Sequence, residues 1–156
     1  MFEALFRWPP DVHFAPWVVR LLVAALLGGV IGWQREKVHS IAGFRTHMLV
    51  SLGSALFILG GRESGMTPVE LSRIFQGIAG GIGFLGAGVI LKRADQNEVH
   101  GLTTAASVWV TAGVGCACAT GAIWLPVAAA LLASFILGPL SRLENHRKEG
   151  ERSNRS

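Results

Sequence analysis

From Ile74 to Leu91 the chain runs eighteen residues without a charge, and no other feature restricts its fold as much. At about 1.5 Å per residue, a helix of that length crosses most of a hydrocarbon core. The run is also studded with glycine, at Gly77, Gly80, Gly81, Gly83, Gly86 and Gly88. In water so many glycines would unravel a helix, because each loses more backbone freedom on folding than any other residue. In lipid the backbone must satisfy its hydrogen bonds internally, and small residues permit the close packing that replaces hydrophobic drive. Spacing residues about 100° apart puts Ile78, Ile82, Leu85 and Val89 on one stripe and spreads the glycines over the rest of the circumference. The expectation is a central helix approached from several sides, with Gly77 and Gly81 as a GxxxG pair. On that reading Gly81→Leu should cost about 1 to 3 kcal/mol by overpacking, and Ile82→Leu far less. Gly81 to Gly86 also fits the dinucleotide fingerprint literally, but that fingerprint needs a preceding strand and a soluble two-faced sheet, and neither is present.

Other charge-poor runs extend the same reading. With 51% hydrophobic and 15% charged residues, the chain is expected to be an all-α membrane protein, a bundle of about five transmembrane helices with the glycine-rich third helix central. The spans fall at about 17–33, 46–61, 74–91, 103–119 and 122–140. Residues 1–16, with Pro9, Pro10 and Pro16, read as an interfacial lead-in, and 141–156 as a charged cytoplasmic tail. No ordinary signal peptide opens the chain. Gly28 and Gly32 form a further GxxxG pair, and Arg20 is placed to snorkel to the headgroups. Thr67 and Pro68 read as a helix start. Cys116 and Cys118 stand too close together in an apolar run for a structural disulfide.

Ten of the fourteen lysines and arginines fall on one side of this alternation, at Arg35, Lys37, Arg45, Lys92, Arg93, Arg142, Arg147, Lys148, Arg152 and Arg155. The other side holds Arg7, Arg20, Arg62 and Arg73. The positive-inside rule therefore puts the N-terminus outside and the C-terminus in the cytoplasm. The net charge of +4 belongs to this topology signal rather than to a nucleic-acid surface, and no motif for reading DNA or stacking RNA is visible.

The spans contain no Asp or Glu, which argues against a proton-relay transporter, and no nucleophile elbow, P-loop or zinc motif points to an enzyme. No cofactor is expected. The polar residues gather on the expected cytoplasmic face: Arg35, Glu36, Arg45, Thr46, His47, Asp95, Glu98 and His100. Glu36, Asp95 and Glu98 could offer oxygens to a hydrated Mg²⁺, a weak contact rather than a dedicated site. Arg45 and His47 could hold a lipid phosphate or an acidic partner surface. Thr103 or Thr104 is placed to cap the fourth helix. A polar path through Ser51, Ser54, Ser107 and Thr111 would favour transport of a small solute.

Four ordered motifs carry a specific resemblance: Gly32-Trp33-Gln34-Arg35-Glu36, Gly43-Phe44-Arg45-Thr46-His47, the run from Gly81 to Ile90, and Gly101-Leu102-Thr103-Thr104-Ala105-Ala106-Ser107. Together they resemble the MgtC/SapB family of bacterial membrane proteins over about residues 18–140. The resemblance implies a multi-pass inner-membrane protein linked to magnesium limitation and, in pathogens, to survival in macrophages. It also implies regulation of a membrane partner such as the F-type ATP synthase; apart from the resemblance, a homo-oligomer is a further partner expectation. Arg35, Glu36, Arg45, Thr46, His47, Thr103 and Thr104 are its motif polar residues. Virulence-type members have Asn where this chain has Thr103, and carry a soluble C-terminal domain, so the chain reads as a short form.

Overall fold

The computed structural model describes residues 14–92 and 99–140. The first helix, α1, runs Phe14–Lys37, with Pro16 in its opening turn, where a missing N–H costs nothing. It continues through Gln34, Arg35 and Glu36, which sequence pattern alone assigns to a turn. His39, at φ 53, then reverses the chain. Helix α2 spans Phe44–Glu63 and α3 spans Pro68–Val89. Thr67 caps α3 in a reciprocal capping box with Glu70, and Pro68 occupies the first turn, so this start was legible from sequence. The Thr67 backbone N–H and hydroxyl hold the Glu70 carboxyl below the usual carboxylate range.

Two-residue strands β1 (Leu91–Lys92) and β2 (Val99–His100) pair antiparallel and return the chain to α4, Leu102–Thr120. Helix α5 follows at Trp124–Phe135 and widens into a π turn over Ile136–Leu140. Pro139 sits in that turn, where wider spacing tolerates a residue without an N–H.

The architecture is the expected all-α membrane bundle. Three helical stretches, Pro16–Lys37, Phe44–Glu63 and Leu102–Thr120, are long and apolar enough to cross a bilayer, and Trp124–Leu140 is a shorter apolar helix. A broad belt of large apolar side chains faces outward, among them Leu22, Leu26, Leu49, Phe57, Phe84, Trp109 and Leu131. In water such a patch would drive aggregation; facing lipid it is ordinary.

One part of the expected arrangement is corrected. The central helix is α4, which packs on each of the other four helices and buries Thr104, Ser107, Val108, Thr111, Ala112, Val114, Gly115, Cys116, Cys118 and Ala119. The glycine-rich α3 lies at the rim and buries Ile82 and Gly86. Added Cβ atoms at Gly77, Gly80, Gly81, Gly83 and Gly88 would meet nothing within 4 Å, and at Gly86 only the Ala105 Cβ at 3.6 Å. The close approach expected there occurs elsewhere. A Cβ at Gly28 would lie 2.6 Å from the His47 carbonyl oxygen, and at Gly32 2.8 Å from the Phe44 Cα. At Gly115 it would collide with the Ser51 backbone. Glycine on α1 and α4 therefore lets three backbones meet around the core formed by Ala24, Ile31, Ala55, Ile58 and Val114. Cys116 and Cys118 are free and buried in it.

Candidate functional site

Three of the four motifs converge at one end of the bundle, where α1 stops and α2 and α4 begin. Arg35, in the last turn of α1, donates from Nη2 to Ser40 Oγ at 3.1 Å and to Thr104 Oγ1 at 2.9 Å. Ser40 and Thr104 are themselves 2.9 Å apart. This position follows from the tight helix end, where the Ser40 amide donates to the Arg35 carbonyl and folds the turn back on the guanidinium.

His47 is fully buried. Its Nδ1 lies 2.8 Å from the Gly43 carbonyl and its Nε2 3.1 Å from Ser107 Oγ. A carbonyl only accepts, so Nδ1 carries the proton facing it, and the single Ser107 hydroxyl hydrogen is shared between Nε2 of a neutral ring and the Thr104 carbonyl. Ser107 Oγ also reaches the Thr104 carbonyl at 2.8 Å. The result is one polar network from Arg35 through Ser40, Thr104 and Ser107 to His47, joining three helices inside a membrane bundle. Each shared hydrogen bond there replaces a partner that lipid cannot supply. Among the described residues the Arg35 Nε within the network has no partner, and nearby the buried Ser51 hydroxyl has none.

The motif residues therefore separate into distinct roles. Glu36 Oε2 accepts from the Phe44 amide at 2.8 Å and so caps α2; that carboxylate lies against Gly43, where a Cβ would meet it. Arg45 and Thr46 are exposed, facing away from His47, so Arg45 and His47 do not form the basic pair that adjacency suggests. Thr104 is buried in the network and Thr103 is exposed. Neither threonine caps α4: its N-cap is Gly101, at φ 95, with no side-chain cap. Thr104 is drawn away by Arg35. Ser40 was not legible as a network member, since nothing in its local pattern signals that the turn folds inward.

For a metal, Glu36 is engaged by the Phe44 amide, and Asp95 and Glu98 lie outside the described residues. Among the described residues no group of three His, Cys, Asp or Glu side chains gathers. Two hydroxyls of the supposed polar path turn back on their own helices: Ser54 donates to the Val50 carbonyl and Thr111 to the Ser107 carbonyl, each at 2.8 Å.

The fourth motif forms a second feature. Helix α3 stands between two apolar grooves. The larger, about 830 Å³, is walled by Leu49 and Phe57 of α2 and by Gly77, Gly81 and Leu85 of α3, with Arg45 also on its lining. The smaller, about 410 Å³, lies between Phe75 and Ala79 of α3 and Trp109, Gly113 and Cys116 of α4.

Comparison with known proteins completes the description. The profile of the MgtC family matches residues 21–146. The chain is similar to Protein SrpB of Synechococcus elongatus, 41% identical over 136 residues, covering 80% of this chain and 75% of the relative. It is similar to Protein MgtC of Salmonella typhimurium, 42% identical over 117 residues, covering 75% of this chain but 49% of that protein. YhiD of Escherichia coli K12, described as a candidate magnesium transporter, is 38% identical over 130 residues, covering 79% of this chain and 60% of YhiD. The chain thus spans about half the length of the Salmonella relative. No solved structure matches it.

Proposed function

The chain belongs to the MgtC family, and from that premise we propose that it is a non-catalytic regulator of the bacterial inner membrane, acting by helix contact with a membrane partner. The observation that carries this reading is the outward glycine face of α3. A helix that meets nothing within 4 Å at Gly77, Gly80, Gly81 and Gly83 among the described residues still offers a surface against which another backbone packs closely in lipid. The groove beside Gly77 and Gly81 gives a partner helix a floor and two walls. The partner proposed, from the family resemblance, is the F-type ATP synthase, with adaptation to low magnesium as the setting; a second copy of the chain is the alternative occupant. The positive-inside count orients the protein with its N-terminus outside and the Arg35 network at the cytoplasmic end.

The test is affinity purification from native membranes of the unaltered chain and of Gly81→Leu, with ATP synthase subunits sought among the recovered proteins. Recovery with the first and not the second supports the reading, provided Gly81→Leu keeps its thermal stability in detergent. Equal recovery with both sinks it.

Transport of Mg²⁺ or another small solute is the second reading, favoured by the description of YhiD and by the buried hydroxyls of Ser51, Ser54, Ser107 and Thr111. Against it stands the bonding of Ser54 and Thr111 to their own helices. Mg²⁺ flux in proteoliposomes that is lost on Glu36→Ala would establish transport in place of regulation.

A further inference from the structure

At the end of the bundle opposite the Arg35 network, two arginines from different helices point at one oxygen. Arg20 of α1 and Arg62 of α2 each donate from Nη1 to the Ala119 carbonyl, both at 3.1 Å, and Arg62 also reaches the Thr120 carbonyl at 3.3 Å. Among the described residues neither guanidinium is paired with a carboxylate.

Capping α4 does not account for both. The neighbouring carbonyls of its last turn already have partners: Ala117 accepts from Thr120 Oγ1 at 2.8 Å and Cys118 from the Gly121 amide at 3.4 Å. The end of a helix presents only about half a negative charge, so one guanidinium more than offsets it. Two guanidiniums on one oxygen leave excess positive charge and repel each other unless an anion lies between them. The local backbone also makes room for the pair. Gly121 adopts φ 93, a turn conformation that favours glycine, and Arg20 Nη2 lies 2.9 Å from where a Cβ would stand there.

We propose that Arg20 and Arg62 form a binding site for the phosphate group of an anionic phospholipid. Each guanidinium uses one or two of its five N–H donors on α4, and the rest suit phosphate oxygens, which guanidinium binds in a planar, forked geometry. A membrane source is favoured by depth. Trp17 lies one turn from Arg20, and Trp124, at the start of α5 and 82% exposed, lies just beyond the α4 end. Tryptophans at helix ends mark the headgroup level of a bilayer.

The experiment uses the full chain purified in detergent, titrated with phosphatidylglycerol and read by native mass spectrometry, with inorganic phosphate as a competing arm. The unaltered chain should retain phosphatidylglycerol, R62Q should bind it about tenfold more weakly, and R20Q/R62Q more weakly still. R62K, which keeps the charge but not the forked donors, should bind more weakly than the unaltered chain and more tightly than R62Q, and R73Q, which changes an exposed arginine elsewhere, should match the unaltered chain. If the double variant does not fold, R62Q decides alone, since Arg62 is exposed and Arg20 still caps α4. Retention by R62Q equal to the unaltered chain, or equal loss in R73Q, would overturn the site. Displacement of the lipid by equimolar inorganic phosphate would overturn the lipid assignment in favour of a soluble anion.

Discussion

Helices α1 and α3 carry the same small-residue signal and use it in opposite directions. On α1, Gly28 and Gly32 face the α2 backbone at His47 and Phe44, at distances where no side chain fits. On α3, Gly77 and Gly81 have the same spacing and face open groove. A GxxxG pair thus signals that a helix can be approached closely, without saying by what. The neighbours differ: α1 is clasped by α2 through a short turn and a shared polar network, whereas α3 is reached from α2 through a capped turn and leans on α4 through Ile82 and Gly86. One glycine pair assembles the protein, and the other meets nothing within 4 Å among the described residues.

The largest expected effect tests the inward half. Gly28→Leu forces side-chain carbons into the His47 carbonyl and Ser51, and should lower stability by about 3 kcal/mol or prevent folding, read as thermal unfolding in detergent. If Gly28→Leu melts with the unaltered chain, the two glycine pairs do not differ and the contrast collapses. Next is the network that holds α2 in place: Ser107→Ala leaves the buried His47 Nε2 without its partner and should cost about 1 to 3 kcal/mol by the same assay.

A smaller effect belongs to α3, whose start depends on a local cap. Thr67→Ala should cost about 1 kcal/mol, seen as earlier hydrogen exchange in α3 while α1 and α4 are unaffected. Exchange rising equally in all helices would show that α3 is as integrated as α1. Smallest of all, Gly81→Leu should change stability by less than about 0.5 kcal/mol, as expected at a position with open space around it. A loss of several kcal/mol at Gly81 would place it among the inward contacts and break the comparison from the other side.

How far the candidate site was legible follows from the range of each signal. Thr67-Pro68 is a signal complete within adjacent residues, and α3 starts there. Arg35, His47, Thr104 and Ser107 stood out as polar residues in or beside apolar segments, where lipid leaves few alternatives to mutual bonding. Their grouping into one network was not readable, because it depends on Thr104 and Arg35 meeting across helices far apart in the chain. Capping of α4 by Thr103 or Thr104 failed for the same reason: a distant guanidinium competes for the Thr104 hydroxyl, and Gly101 takes the turn. Arg20 reads as a snorkelling side chain in isolation, and its meeting with Arg62 at Ala119 appears only once α1, α2 and α4 are assembled.

The sequence by itself determined the solvent and the class of fold. Charge-free runs of helical length and a backbone that must close its own hydrogen bonds leave a helical membrane bundle as the outcome, and four motifs in order mark its family. Only the tertiary structure decided which helix is central and which glycines touch. A glycine face is defined by what it lacks, so it is compatible with any close neighbour or none. The choice between Gly28 against His47 and Gly81 against an open groove rests on which backbones the turns and the buried polar network bring together.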